Sequence, residues 1–545
     1  MAKSAASDIF IINDILRKKR KGDWNSTHAA GHTFTMKQIP VLIAGAGPTG
    51  LVLALWLTKS GIAVRIVDKT AEAGTTSRAL GVQAHTLELY RQMGIADGVL
   101  QGCVRIAGAN FWISGKRVAR IDIREIGTGL SPFPGLVTFA QDEHEKMLIA
   151  ELTKVGVTVE RQTELLKFDD RGTSIVATLR LPDGSEEQCE ASYLAGCDGA
   201  HSAVRAGLGI GFPGGTYDAL FYVADAQATG SLTNDEVHFD LSATDFLAVF
   251  PLKGAGRVRL IGTVKAITES EEKALTFDDV GVRALREMKL TVDMVNWFST
   301  YRVHHRVAEH FRKGRAFILG DAAHIHSPVG AQGMNTGIGD AINLAWKLAA
   351  VLTGDATPRI LDSFETERIG FARRLVATTD KIFTIVSKPG WSAAFLRTRL
   401  MPLIVPMLFR IHRMRTYIFR TVSQIGIKYR ESALSSGKAG KLAGGDRLPW
   451  VPTDGDDDNF TPLTSMAWQA HIYGEVKQSA TAACAELQLP LHVFPWSPAA
   501  EHAGLLRSAF YLVRPDGYIA LADADSGALR LRGYLSTRGL SVGAR

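Results

Sequence analysis

FILGDAAHIHSPVGAQGMNTGIGDAINLAWKL, from Phe317 to Leu348, is an apolar run that breaks into a glycine-rich turn and resumes as an amphipathic helix. The run reads as a buried strand. Gly320-Asp321 ends it, Pro328 and the cluster Gly330, Gly333, Gly337 and Gly339 follow, and Ala341, Leu344, Ala345 and Leu348 recur at helical spacing. A strand, a bare turn and a helix N-terminus together accept an anion, because unpaired N–H groups converge under the positive end of the helix dipole. Glycine at so many positions lets a ligand touch backbone. Asp321 sits where its carboxylate can accept hydrogen bonds from ligand hydroxyls. The segment predicts a flat or phosphorylated ligand lying against the turn.

A further segment asks for a ligand of the same kind. GAGPTG, from Gly45 to Gly50, follows the apolar run Ile39 to Ala44 and opens a helical pattern from Leu51 to Lys59. About twenty residues on, Val64 to Val67 predicts a second strand, ending at Asp68. This is a dinucleotide fingerprint in its proper setting, with glycines for the turn and the pyrophosphate approach and an acid for ribose hydroxyls. LAGCDGAHSAV, from Leu194 to Val204 and completed by Arg205, stands between the other two.

Three such motifs in this order resemble those of the flavoprotein aromatic hydroxylases, the family with the para-hydroxybenzoate hydroxylase fold. The resemblance implies an α/β (α+β) protein: a Rossmann-like FAD-binding domain with an inserted antiparallel-sheet substrate domain. It implies FAD contacts from Gly45, Gly47, Pro48, Thr49, Gly50, Asp68 and Lys69 in the first motif region, and from Arg78, Gln141 and Asp198. The third region would add Gly320, Asp321, Pro328, Gly333, Met334 and Asn335, with the backbone from Val329 to Asn335 beside the isoalloxazine ring. Two positions depart from the family pattern: Ala331 replaces a usual second glycine, and His85 stands where many members have arginine.

Along the chain, residues 36–104, 125–210 and 306–380 are expected to form the discontinuous FAD-binding domain. Residues 105–124 read as a hairpin given to a separate sheet, which 211–305 complete as the substrate-binding domain. Residues 381–440 are expected to be a helical connector. Ile382 to Tyr429 holds eight basic residues, among them Arg397, Arg399, Arg410, Arg413, Arg415, Arg420 and Lys428, with Arg430 just past the end. That pattern suits a membrane-surface helix or, as Pro402 and Pro406 interrupt the apolar run, a helix packed across the domain interface. The segment Leu361 to Arg374 is expected to be helical with a solvated acid-rich face. Residues 441–545 resemble the thioredoxin-like C-terminal domain of the phenol hydroxylase branch, with Cys484 as their one cysteine and so no internal disulfide. Residues 1–35 are expected to be a disordered extension.

Composition narrows the function classes. At 545 residues two or three domains are expected, and 46% hydrophobic with 21% charged residues is ordinary for a soluble globular protein. A net charge of +7 without a concentrated basic face does not predict nucleic-acid binding. Cys103, Cys189, Cys197 and Cys484 form no CxxC pair, which points to a reducing, cytoplasmic setting. No run is long and apolar enough to predict a membrane span. His324 and His326 lack further ligands at fitting spacing, so no metal is expected. Oligomeric state is open, with a homodimer as one arrangement.

The resemblance implies FAD as cofactor, NAD(P)H and dioxygen as co-substrates, and hydroxylation of a phenolic or polycyclic aromatic compound through a flavin C4a-hydroperoxide. The helix near Asn335 would stabilise charge on the reduced flavin. An aromatic-rich sheet (Phe221, Tyr222, Phe239, Phe246, Phe250) would exclude water, with roughly half of these side chains pointing away by strand alternation. Tyr222 and His238 are the candidate catalytic residues, with Asp225 as a further acceptor for a phenol proton. An oxidoreductase or reductase of the same fold without oxygen insertion is the alternative. A flavin halogenase is disfavoured by the lack of a Trp-x-Trp motif. A structural flavin has no need of so much glycine beside the ring, and a plain dehydrogenase leaves the second and third motifs without a role.

Overall fold

The computed structural model describes residues 38–543 except 75–78, 243–245, 265–274, 328–329, 388–394, 454–456 and 526–527. The expected N-terminal extension, Arg78 and Pro328 lie outside the described residues.

The first sheet has eight strands, and its main path runs Arg312–Lys313, Ala316–Ile318, Glu186–Gly196, Ile39–Ala44, Val64–Asp68 and Val159–Arg161. Ile39–Ala44 lies at its centre because Val41, Leu42, Ile43 and Ala44 are apolar on both faces and fully buried. It pairs in parallel with both neighbours, Ala44 opposite Val67 on one side and Gly196 on the other, and Gly196 in turn opposes Ile318. This register brings the ends of all three motifs to one edge, at the carboxyl ends of parallel strands, where ligands bind in open α/β sheets. Helix Pro48–Lys59 packs behind this sheet and against the long helix Gly333–Thr353.

The second sheet also has eight strands, ordered His324–Ile325, Thr291–Val307, Gly214–Thr229, Arg257–Val264, Leu247–Pro251, Glu236–Asp240, Gly108–Ile113 and Lys116–Asp122. The hairpin expected in residues 105–124 is there, its turn at Ser114-Gly115 made by two positive-φ residues. One detail differs from an all-antiparallel sheet: Glu236–Asp240 runs parallel to Gly108–Ile113.

Helices Met401–Arg410 and His412–Val422 follow. Pro402 and Pro406 do not break the first of them. Pro402 sits in the first turn, where no N–H donor is needed, and the helix runs on through Pro406. A third, six-stranded sheet begins at Ser436–Ala439. Its core is Gln469–Tyr473, helix Gln478–Glu486, Leu491–Phe494, helix Pro498–His502, hairpin Phe510–Val513 with Ile519–Asp523, and helix Ala528–Arg538. In that β-α-β-α-β-β-α unit the first two strands are parallel and the hairpin strands follow on the other side of the first.

The acid-rich face of helix Asp362–Ser387 is not wholly solvated. Glu367 and Arg368 are both buried, Glu367 against Lys347 and Arg514 and Arg368 against Asp340. Opposite charges from two other parts of the chain meet Glu367 there, a long-range pairing that helical periodicity does not reveal.

Candidate active site

One cavity of about 810 Å³ lies between the carboxyl edge of the first sheet and one face of the second. Two helix N-termini open on it, through Gly47, Pro48 and Thr49 and through Gly333 and Met334. Neither helix has a capping side chain or an acid in its first turn, so their leading N–H groups are left for a ligand. A Cβ at Gly47 would meet nothing within 4 Å, because that position faces open space. Gly45 is the reverse case: at φ +101° it lies so close to Cys197 that a Cβ would stand 2.2 Å from the carbonyl oxygen. Ala331, in the place of the family glycine, adopts φ +53°, the left-handed conformation glycine favours.

The other motif residues divide between lining the cavity and shaping it. Gln141 and Asp321 line it, with Asp321 exposed. Asp68 ties the first two strands together, accepting from Ala46 N–H (2.7 Å) and from Thr70 N–H (2.8 Å) and hydroxyl (2.5 Å). Lys69 is exposed and outside the cavity. Gly50 and Gly320 permit close packing, since a Cβ would meet the Gly45 carbonyl and the Thr49 hydroxyl respectively. Asn335 is wholly occupied in holding the turn: it accepts from Gln83 N–H and Thr86 hydroxyl and donates to Gly81 and Ala331 carbonyls. His85 points to the C-terminal unit, with ring nitrogens near Glu88 and the Tyr518 hydroxyl.

Beneath the turn, buried Asp340 accepts from Gly320 N–H (3.1 Å), Arg368 Nε (2.5 Å) and His324 Nε2 (2.7 Å). Burial alone would raise its pKa, but the charges of Arg368 and His324 outweigh that and hold it below the usual carboxylate range. His324 thus fixes the turn from below, whereas His326 lines the cavity. Burial lowers the His326 pKa to about 4, so its ring is neutral at pH 7; Nδ1 donates to the Ser327 carbonyl.

The two candidate catalytic residues are not brought to the cavity. Strand alternation puts Phe221, Val237 and Phe239 on the lining face and Tyr222 and His238 on the opposite one. Tyr222 packs in a separate core with Phe298. His238 bonds Trp112 Nε1 (3.2 Å) and Asn234 (3.0 Å), and burial lowers its pKa to about 4. Asp225 is held bidentate by buried Arg259 at 2.6 and 2.7 Å. The cavity wall is instead Phe111, Phe221, Phe239, Phe246 and Phe250, with polar groups from Tyr301, Arg302 and His304. His304 bonds the Thr216 hydroxyl at 2.7 Å. Its pKa is lowered, by burial first and then by Arg306, His201 and His305. The signal for these three was the clustering of Tyr, Arg and His in YRVHHR, just before the chain re-enters the first sheet.

Residues 38–379 match the family model described as the FAD binding domain. A 6-methylpretetramide 4-monooxygenase from Streptomyces rimosus is 30% identical over 527 residues, covering 91% of this chain and 92% of that relative. The chain belongs to the FAD-dependent aromatic hydroxylases. Another relative in that family, a pentachlorophenol 4-monooxygenase from Sphingobium chlorophenolicum, is 32% identical over 417 residues, 75% of each chain. The solved structure of the anhydrotetracycline hydroxylase OxyS from Streptomyces rimosus matches with a TM-score of 0.73 at 27% identity, over 92% of this chain and 99% of that one.

The residues present fit the hydroxylase cofactor, FAD. Two uncapped helix N-termini suit a pyrophosphate and an electron-rich ring edge. Gln83 Oε1 and Asp198 Oδ1, in or beside the cavity, are buried without hydrogen-bond partners. An acceptor left so costs about 1–3 kcal/mol, and a cofactor rich in hydroxyl and amide donors would offset it. Among the described residues no helix is long and apolar enough to cross a membrane.

Proposed function

We propose that this hydroxylase acts on a large phenolic or polycyclic aromatic substrate, with NAD(P)H as electron donor and dioxygen as oxidant. FAD, when bound, carries two electrons from NAD(P)H to dioxygen, so that one oxygen atom enters the aromatic ring and the other leaves as water. The chain's residues bind, orient and keep the site dry. Backbone N–H groups of the first turn, Thr49 among them, would hold the pyrophosphate beside Gly47, Asp321 would accept from cofactor hydroxyls, and Gly333 and Met334 would present the second helix dipole to the ring. The phenylalanine wall excludes water and receives the substrate ring. Tyr301 and His304 take the place of Tyr222 and His238 as the groups that hold a substrate hydroxyl, and a neutral His304 is able to share its proton.

The C-terminal β-α-β-α-β-β-α unit reads as a thioredoxin-like domain on strand order, redox-silent because its one cysteine, Cys484, is buried in a helix. The discontinuous domain division over residues 36–380 is supported by the way the two large sheets alternate along the chain.

The observation that carries this reading is a single cavity joining two uncapped helix N-termini to an aromatic wall. The relatives named above act on polycyclic or phenolic compounds, which suits a wall of that size. The test is turnover of polycyclic phenols under labelled dioxygen, with NADPH and NADH in parallel. One labelled oxygen in the product is expected. Peroxide or a reduced product without label, from the substrate that best speeds flavin bleaching, would put the chain among reductases or oxidases of this fold.

A further inference from the structure

Helix Met401–Arg410 has two apolar faces, and the cavity accounts for only one. Met401, Val405 and Phe409, four residues apart, line the cavity from above. Leu403, Ile404 and Met407 point the other way, Leu403 being 72% and Met407 63% exposed. Phe395, Leu400, Ile411 and Tyr417 extend the exposed apolar surface, so half of the large apolar side chains exposed among the described residues fall between Phe395 and Tyr417. Such clustering marks an interaction surface rather than scattered exposure.

The charge around it is one-sided. From Lys381 to Arg430 the sequence has ten Lys and Arg and no Asp or Glu, an excess larger than the +7 of the whole chain. The remainder of the protein is therefore net acidic. Arg399, Arg410, Arg413 and Arg420 are exposed, and no ion pair among the described residues involves them. The helix packs on strand Lys116–Asp122, where Lys116, Arg117 and Val118 are also exposed and continue the pattern of cations around apolar side chains.

We infer that this face docks peripherally on an anionic lipid bilayer, with Leu403, Ile404, Met407 and Ile411 entering the headgroup boundary and the arginines meeting lipid phosphates. Apolar side chains ringed by cations match a negatively charged, apolar-cored surface. A second copy of this chain fits less well, because a self-complementary interface would oppose two faces on which cations outnumber acids. The docking holds whatever substrate the cavity takes. For a lipophilic aromatic it would put the helix that roofs the cavity against the phase in which such a compound dissolves.

The test is flotation of the flavin-loaded full-length protein with vesicles of phosphatidylcholine alone and of phosphatidylcholine with phosphatidylglycerol at 3:1. At least tenfold more protein is expected on the anionic vesicles, with the difference removed by high salt. The double variant Leu403→Glu/Met407→Glu should lose at least tenfold in vesicle binding while keeping its flavin content. Arg410→Glu/Arg413→Glu, which leaves the apolar side chains intact, should lose binding to anionic vesicles as well. No binding, or equal binding to both compositions, overturns the inference. So does a fall in oligomeric mass in the Leu403→Glu/Met407→Glu variant without any change in flotation, which would make the face a contact between copies.

Discussion

Helix Gly333–Thr353 is built on opposite chemistry at its start and in its middle. At its start, Gly333 and Met334 expose bare backbone to the cavity, and no side chain caps them. About three to four turns on, Asn343, Trp346 and Lys347 enter a closed network of charges. Glu367 accepts from Asn343, Lys347, Ser432 and Arg514, while Asp516 accepts from Trp346 and Arg514. Every one of these side chains is buried. The open end leaves donors unpaired for a ligand, and the closed middle leaves nothing unpaired. One rigid element thus carries the cavity's positive dipole end while the C-terminal unit anchors it from behind.

Breaking the closed network at the middle of the helix should have the largest effect on stability. Glu367→Ala strands Lys347 and Arg514 without their shared partner, and removing one member of a buried ion network costs roughly 3–5 kcal/mol. Urea denaturation of the holoprotein should show that loss, while the fraction still folded keeps its flavin affinity. A loss below about 1 kcal/mol, the range of surface pairs, would mean that the network is not the anchor.

Effects absent at neutral pH, and growing only in acid, follow from buried histidines on both sides. Burial lowers the pKa of His238, in the cavity sheet, to about 4 and that of His471, in the C-terminal sheet, to about 3. Both stay neutral when folded but gain a proton when unfolded below about pH 6.5. Their stabilisation is therefore complete above pH 6.5 and is lost as pH falls from there toward 4, at about 1.4 kcal/mol per pH unit for each. Replacing either with Gln should flatten the stability profile over that window by the same slope, and an unchanged profile would contradict the burial argument. The smallest effect is expected at Cys484, buried in its helix with a pKa raised by burial to about 11. Cys484→Ala should leave turnover and flavin content unchanged; lost turnover with fold and flavin intact would assign the C-terminal unit a thiol role.

The parts legible in the sequence were those written locally. GAGPTG, the Asp198-Gly199 segment and the Gly320-to-Asn335 turn each announce a strand end, and the parallel register brings these ends together. Facing was not legible at single positions. Tyr222 and His238 sit in strands of the expected sheet, yet alternation turns them from the cavity, and which parity faces inward depends on a register set by distant strands. Asn335 lay in the right segment, but its amide serves the fold because Gln83, Thr86 and Gly81 arrive from far away in sequence. The roof formed by Met401, Val405 and Phe409 was hidden for a similar reason: an amphipathic pattern with two apolar faces does not say which face is buried.

The central claim is that the open end of the site, where two helix N-termini meet, holds FAD. Gly47→Val tests it most directly, because at φ −76° any residue is tolerated and the added side chain would project only into the cavity. Flavin content and thermal unfolding of the variant, measured beside wild type and Asp321→Ala, decide the matter. The expected result for Gly47→Val is a folded protein that unfolds like flavin-free wild type and retains little or no FAD, with Asp321→Ala also depleted of flavin. Full flavin occupancy in Gly47→Val with unchanged spectrum would contradict the account.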